Sequence, residues 1–466
     1  MHFTLFDTAV YKSRRQALLQ NMGSGLIVLM GNEESSMNYK DNWYPFRQDS
    51  TFLYYFGLDV AGLAAVLDAE SGEIVIFGNE LSIDDIVWTG PLPSVKEMAA
   101  TVGVSTTAPY ADIATWIRKA LFAGRTVHIL PPYRPENRIK LAEWMQIPVQ
   151  DVDSRVSLKL VKAVIRQRVI KEAVEVAEIE KAVSISADMH LAGIQYARPG
   201  MKEYEVAAKV QEVAFAAGGR LSYPIICTVN GETLHNHYYG NTIREGQMLL
   251  LDAGAENDLH YAGDLTRTFP VGKRFTTQQK EIYNTVLNAL DHAISLLKPG
   301  IRFRDVHAGA CEKLVEGLTA IGIMKGNAAE AVAAGAHTLF FQCGLGHMMG
   351  MDVHDMEDLG EQYVGYSDDL QKSKEFGWKS LRLGRAVEPG YVLTIEPGVY
   401  IIPSLIDQWM AEKKHTNFIN YTVLESYRNF SGIRVEDNFL VTADGNRKLG
   451  KFLPKSAEEI EALRNC

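Results

Sequence analysis

The chain has 466 residues, enough for roughly two to four domains. With 47% hydrophobic and 22% charged residues it can bury sizeable cores, which excludes wholesale disorder, collagen-like repeats and coiled coil as the main architecture. Asp plus Glu (57) outnumber Lys plus Arg (47), and the net charge of −10 excludes a generally basic, nucleic-acid-binding surface.

Residues 1–10 contain Asp7 and lack the apolar run of a secretory signal. No stretch approaches the ~20 apolar residues of a membrane helix. These features predict a soluble, cytoplasmic protein that binds neither membrane nor nucleic acid. Apolar runs at 25–30, 64–67, 73–77 and 126–130 read as strands, and 111–122 has helical spacing. Strands interleaved with helices predict an α/β unit with a parallel or mixed sheet. Residues 156–176, without Gly or Pro, read as one connecting helix, which divides the chain into domains at 1–160 and 161–466.

Beyond the connector the texture changes. Helical periods at 179–196 and 203–217 flank Arg198-Pro199-Gly200, a helix stop. Strand-like runs follow at 225–229, 248–253, 265–269, 392–395 and 439–442, with two more helices at 278–297 and 304–321. The helix pairs 179–217 and 278–321 resemble a weak internal repeat. This is an α+β pattern with a curved antiparallel sheet. Four cysteines, Cys227, Cys311, Cys343 and Cys466, have no CxxC spacing and read as reduced thiols.

Acids cluster where strands end. Asp252 closes the run LLLDAG, and Asp264 opens GDLTRTF, with Asn257-Asp258 between them as a hairpin turn. Glu396 ends VLTIEPG, and Glu436 lies in GIRVEDN. Each alone reads as a solvated strand-end acid. Four converging carboxylates need neutralising, in part by Arg267 and Arg434 and more completely by divalent cations. His347 and His354 lie seven residues apart in the Gly-rich run CGLGHMMGMDVHD. Four carboxylates and an imidazole suit Mn²⁺ first, then Co²⁺, Fe²⁺ or Zn²⁺. Two such ions can share a water and acidify it into a hydrolytic nucleophile.

The order Asp252, Asp264, His347, Glu396, Glu436 resembles the ligand set of the pita-bread metallopeptidases, through DAG, GDLTRTF, GLGHMMGMDVHD, TIEPGVY and GIRVEDN. The N-terminal stretch FRQDSTFLYYFG at 46–57 is similar to the N-terminal domain of aminopeptidase P and prolidase, which methionine aminopeptidases lack. The resemblance implies an α/β N-terminal domain and an α+β pita-bread catalytic domain holding two divalent metal ions. Asp252 would chelate one ion, Asp264 and Glu436 would bridge both, and His347 and Glu396 would ligate the other, with a bridging hydroxide as nucleophile. It further implies that His237 sits beside the substrate, that His354 contacts the scissile carbonyl or relays a proton, and that Arg434 supports the bridging glutamate and these histidines.

Within that group SLRLGR at 380–385 resembles the prolidase segment whose arginine, here Arg382, holds a dipeptide's carboxylate. The expected substrates are Xaa-Pro dipeptides, with aminopeptidase P activity on longer Xaa-Pro peptides as the alternative. A non-catalytic pita-bread binding protein, or a metal-independent relative such as creatinase, fits less well because all five ligands are present. Trp88 resembles a tryptophan on an N-terminal loop that reaches the partner subunit's site, which implies a homodimer. There are two departures from the pattern. Cys343 replaces a histidine and is read as a buried, inert thiol, and the loop between Asp252 and Asp264 is one residue longer, to be absorbed at Asn257-Asp258.

Overall fold

The computed structural model describes residues 4–465, so the thiol expected at Cys466 lies outside the described residues. The chain divides into two compact units. One runs up to Arg168 and takes in Asp358–Tyr363; the other comprises Val169–Glu357 and the chain from Val364 onward.

The N-terminal unit is built on a five-stranded sheet in the order Thr106–Ala108, Ile74–Phe77, Ala64–Asp68, Leu26–Met30, Val127–His128. The inner pairings are antiparallel and the two outer ones parallel, so the sheet is mixed. Leu26, Ile27, Val28 and Leu29 are all at most 2% exposed, so both faces of that strand are covered. This explains why it is a continuous apolar run rather than an alternating one. Ile113 and Ile117 of helix Ile113–Phe122, and Leu141 and Trp144 of helix Pro135–Met145, pack into the same core. Helix Ser50–Phe56 starts at Asp49, whose carboxylate accepts from the Phe52 N–H, and stops at Gly57 in the left-handed conformation.

The connecting segment is not one helix. It forms Leu158–Arg168, then breaks, then resumes as Ala173–Tyr196. No Gly or Pro causes the break; tertiary contacts do. The Lys171 N–H donates to the Gly390 carbonyl, and Lys171 Nζ lies 2.7 Å from Asp355 Oδ2 with both side chains 1% exposed. Glu172 then opens the next helix through a reciprocal capping box with Glu175. A chain forced straight here could not bury that ion pair. Lys171→Met is expected to strand the Asp355 charge and to cost about 3–5 kcal/mol, read as an earlier unfolding transition in urea.

In the C-terminal unit helices Ala173–Tyr196 and Glu203–Ala216 pack as one pair, and Thr277–Leu296 and Phe303–Ala320 as another. Between Tyr196 and Glu203, Gly200 takes φ +94°, which only glycine adopts readily. Strand Met248–Ala253 lies between Leu265–Pro270 and Ile226–Thr228, all antiparallel. Val392–Ile395 pairs with Asp437–Val441, and Gly398–Tyr400 with Gly432–Arg434. Single bridges at Thr266–Glu436 and Met348–Leu393 join these pieces. The antiparallel sheet is therefore assembled from short segments, with the acidic strand ends brought to one place. Among the described residues no helix is long and apolar enough to cross a membrane.

Candidate active site

The first two acids are positioned by strand register. Asp252 pairs with Thr266 across the antiparallel ladder, and Asp264 lies two residues before Thr266. Residues two apart on a strand share a face, so the two carboxylates are diagonal neighbours. The hairpin end closes between Asn257 and Tyr261, with the Asn257 side chain accepting from the Leu259 and Tyr261 N–H groups. His260, just beyond Asn257-Asp258, takes φ +64° in this turn.

Glu436 joins the pair through the Thr266 bridge, where the Thr266 hydroxyl lies 2.7 Å from Glu436 Oε2. Glu436 Oε1 is buried with no hydrogen-bond partner among the described residues. His347 is held against strand Val392–Ile395: its N–H donates to Thr394 Oγ1, and the Thr394 N–H donates to its carbonyl. Gly346 permits that approach, because a Cβ there would sit 2.0 Å from the Thr394 carbonyl oxygen. His347 Nδ1 donates to the Met348 carbonyl at 3.0 Å. That orients the ring and turns Nε2 toward the carboxylates, 3.3 Å from Asp264 Oδ2 and 3.6 Å from Glu396 Oε1.

These five side chains line a single cavity of about 420 Å³, together with His235, His237, His354, Arg382 and Arg434. Cys343 lines it too, half-buried rather than buried, with its sulfur 4.0 Å from the Tyr400 hydroxyl. Burial pushes its thiol up to about 12, so it stays protonated. Trp88, in the N-terminal unit, lies in helix Ile83–Thr89 rather than in a loop, and is 86% exposed.

Two of the expected arginine roles change. Arg267 faces away from the carboxylates, because alternation along its strand turns it to the other side. It is bound to Asp437 Oδ1 at 2.8 Å and the Glu436 carbonyl at 2.7 Å. Arg434 pairs directly with Asp252 through Nη2, reaches the Tyr400 hydroxyl at 2.9 Å, and touches Glu436 only through Thr266 Oγ1, 3.2 Å from its Nε. Residues the motif reading overlooked also shape the site. The Tyr223 hydroxyl sits 2.6 Å from Asp252 Oδ1 and 2.5 Å from Asp264 Oδ1. Glu357 lies 2.6 Å from His354 Nδ1 and 3.3 Å from Arg382 Nε. Glu357 and Thr266 were legible in principle, three residues after His354 and two after Asp264; Tyr223 carries no spacing signal.

The electrostatics call for cations. Burial pushes Glu396 up to about 7 and Glu436 well above the carboxylate range, with neighbouring acids adding to both. Burial also raises Asp252, against the pull of Arg434. Asp264 is similarly buried, but the His347 hydrogen bond and charge hold it below its ordinary value. The Tyr223 hydroxyl has one proton for two carboxylates, and Glu436 Oε1 has none to accept. Asp264, His347 and Glu436 offer ligand atoms within 4.8 Å of one another. This oxygen-rich donor set with one imidazole fits divalent metal ions. A second buried group, His307, Cys311 and His337, also brings donor atoms within 4.8 Å, but it has no carboxylate, and its rings pack edge-on against Trp378.

Comparison with known proteins agrees with this geometry. The profile of metallopeptidase family M24 matches residues 177–443, and that of the aminopeptidase P N-terminal domain matches 11–129. The chain belongs to metallopeptidase family M24. Membership makes it a metallopeptidase with the two-part pita-bread architecture and implies divalent metal ions in the carboxylate cavity. It is 31% identical to the Xaa-Pro dipeptidase of Rattus norvegicus, over 97% of this chain and 93% of that one. It is equally 31% identical to the Xaa-Pro aminopeptidase of Escherichia coli K12, over 97% of both. Solved structures of aminopeptidase P from E. coli and of proline aminopeptidase P II from Yersinia pestis superpose with TM-scores of 0.82 and 0.81, each at 29% identity over 99% of this chain and at least 99% of the other.

Proposed function

We propose that this M24 enzyme is an Xaa-Pro peptidase with a preference for dipeptides. The relatives' names support the proline specificity, and the equal identities to a dipeptidase and an aminopeptidase do not choose between them. The observation that carries the choice is Arg382, which lines the same cavity as the carboxylates. A guanidinium there can take the carboxylate next to the proline, a group that a dipeptide presents at that position and a longer chain does not.

In this reading Asp252, Asp264, His347, Glu396 and Glu436 hold two divalent ions, manganese by preference for this donor set. Bound there, such ions supply an activated water and polarise the scissile carbonyl. The rest falls to the chain's own side chains. Arg434 fixes Asp252 directly and Glu436 through Thr266, so the acids keep their spacing. Burial holds His354 down at about 4, so it is a neutral imidazole able to accept or relay a proton at the scissile amide. His237, exposed at the cavity rim, flanks the substrate. The enzyme acts as a homodimer in which exposed Trp88 meets the partner.

The test compares Ala-Pro with Ala-Pro-Ala and longer peptides, using enzyme reconstituted with manganese and enzyme stripped by a chelator. The expected result is metal-dependent hydrolysis favouring Ala-Pro. A preference for tripeptides and longer would assign aminopeptidase P activity instead, and metal-independent turnover would overturn the dinuclear reading.

A further inference from the structure

The turn that follows His354 is unusually constrained. Asp355 is 3% exposed; its carboxylate meets Lys171 Nζ at 2.7 Å, and its N–H donates to the Met348 carbonyl. Met356, 2% exposed, adopts φ +62°, a left-handed conformation that a bulky side chain takes only at a cost of about 1 kcal/mol or more. The consequence is that the chain doubles back at once. The Glu357 N–H donates to the His354 carbonyl, and the Glu357 carboxylate returns to His354 Nδ1 at 2.6 Å. Both carboxylate oxygens also lie 3.3 Å from Arg382 Nε. The His354 and Arg382 contacts hold the Glu357 carboxyl down at about 2, so the group is ionised.

An ionised carboxylate only accepts, so Nδ1 of His354 carries the proton and Nε2 presents its lone pair. The ring is also held in position, 4.2 Å centroid to centroid from the His347 ring. We propose that Glu357 is the positioning residue for His354: from its strained turn it sets the histidine's tautomer and aim, and Arg382 keeps the carboxylate in place. The inference rests on the Xaa-Pro peptidase reading above, in which His354 works at the scissile bond. It adds that the substrate-carboxylate arginine and the working histidine share one anchor.

Glu357 is about one-third exposed, so its variants should fold. The measurement is kcat and KM for Ala-Pro with wild type, Glu357→Ala, Glu357→Gln and Glu357→Asp, with metal content and melting temperature as controls. Losing an orienting partner of this kind costs about 10- to 100-fold. The expected result is that loss in kcat for Glu357→Ala, with a smaller rise in KM as Arg382 loosens and with metal content and melting temperature unchanged. Glu357→Gln should be as slow as the alanine variant although it is isosteric. In either orientation its amide N–H₂ replaces an oxygen that accepts from the Arg382 Nε–H, setting donor against donor, and in one of them it also faces His354 Nδ1 and drives the ring to the other tautomer. Glu357→Asp should recover part of the rate.

A glutamine variant with wild-type kcat, or an effect confined to KM, would overturn the proposal. So would an alanine variant equal to wild type. Wild-type enzyme inert toward Ala-Pro would instead overturn the peptidase reading itself, and this inference with it. The two failures are therefore distinguished by the wild-type rate alone.

Discussion

Asp264→Asn is expected to abolish hydrolysis, lowering activity by at least about 10³-fold, the loss of several kcal/mol of charge stabilisation. Asp264 is the best-connected acid of the cavity: it faces His347 Nε2 at 3.3 Å, shares the Tyr223 hydroxyl with Asp252, and lies with Glu436 in the buried donor cluster. Asparagine keeps the shape and removes the charge. If Asp264 bridges two cations, its neutral amide leaves both undercompensated, and at least one should dissociate. Elemental analysis of the purified variant should then show one ion or fewer per chain against two in the wild type. The fold should survive, since loss of a buried charge beside other acids relieves repulsion once the ions have gone. Two ions retained with near-normal turnover would take Asp264 out of the site.

The second large effect concerns Arg382. Its guanidinium lines the cavity and meets Glu357 through Nε, the inner edge of the fork. If it also binds the carboxylate of an Xaa-Pro dipeptide, Arg382→Ala removes a charge-assisted contact worth about 2–4 kcal/mol. That corresponds to roughly a 30- to 1,000-fold fall in kcat/KM, mostly in KM. A dipeptide amide has no carboxylate and should lose only what the loosening of Glu357 costs. The difference between the two substrates isolates the carboxylate contact, because general damage to the cavity would slow both alike. Equal losses on dipeptide, amide and longer peptides would remove Arg382 from substrate binding and favour the aminopeptidase alternative.

Much of the framework was legible in the chain. Met248–Ala253 and Val392–Ile395 fall where their apolar runs lie, because a strand covered on both faces needs an unbroken apolar run. The long helices Thr277–Leu296 and Phe303–Ala320 differ from their periodic segments by a single residue at each end. Acids at the ends of apolar strands marked Asp252, Asp264, Glu396 and Glu436 as a group. Alternation along the Leu265–Pro270 strand could even have separated Arg267 from Thr266 in advance.

Other features depend on residues far apart in sequence, for which local pattern has no signal. The connector breaks at Val169–Glu172, a segment without Gly or Pro, because Lys171 is drawn onto Asp355 and Gly390, 184 and 219 positions away. Tyr223 reaches the aspartates from outside their hairpin. Arg434 pairs with Asp252 rather than with Glu436, two residues away, because the Gly398–Tyr400 pairing and the Thr266 bridge turn its side chain toward the first strand. Local propensity and hydrophobic period thus dictate which segments become strands and helices and where acids sit on them. Only the packed structure decides which charges meet, since a buried charge takes whichever partner lowers its desolvation cost, however distant in sequence.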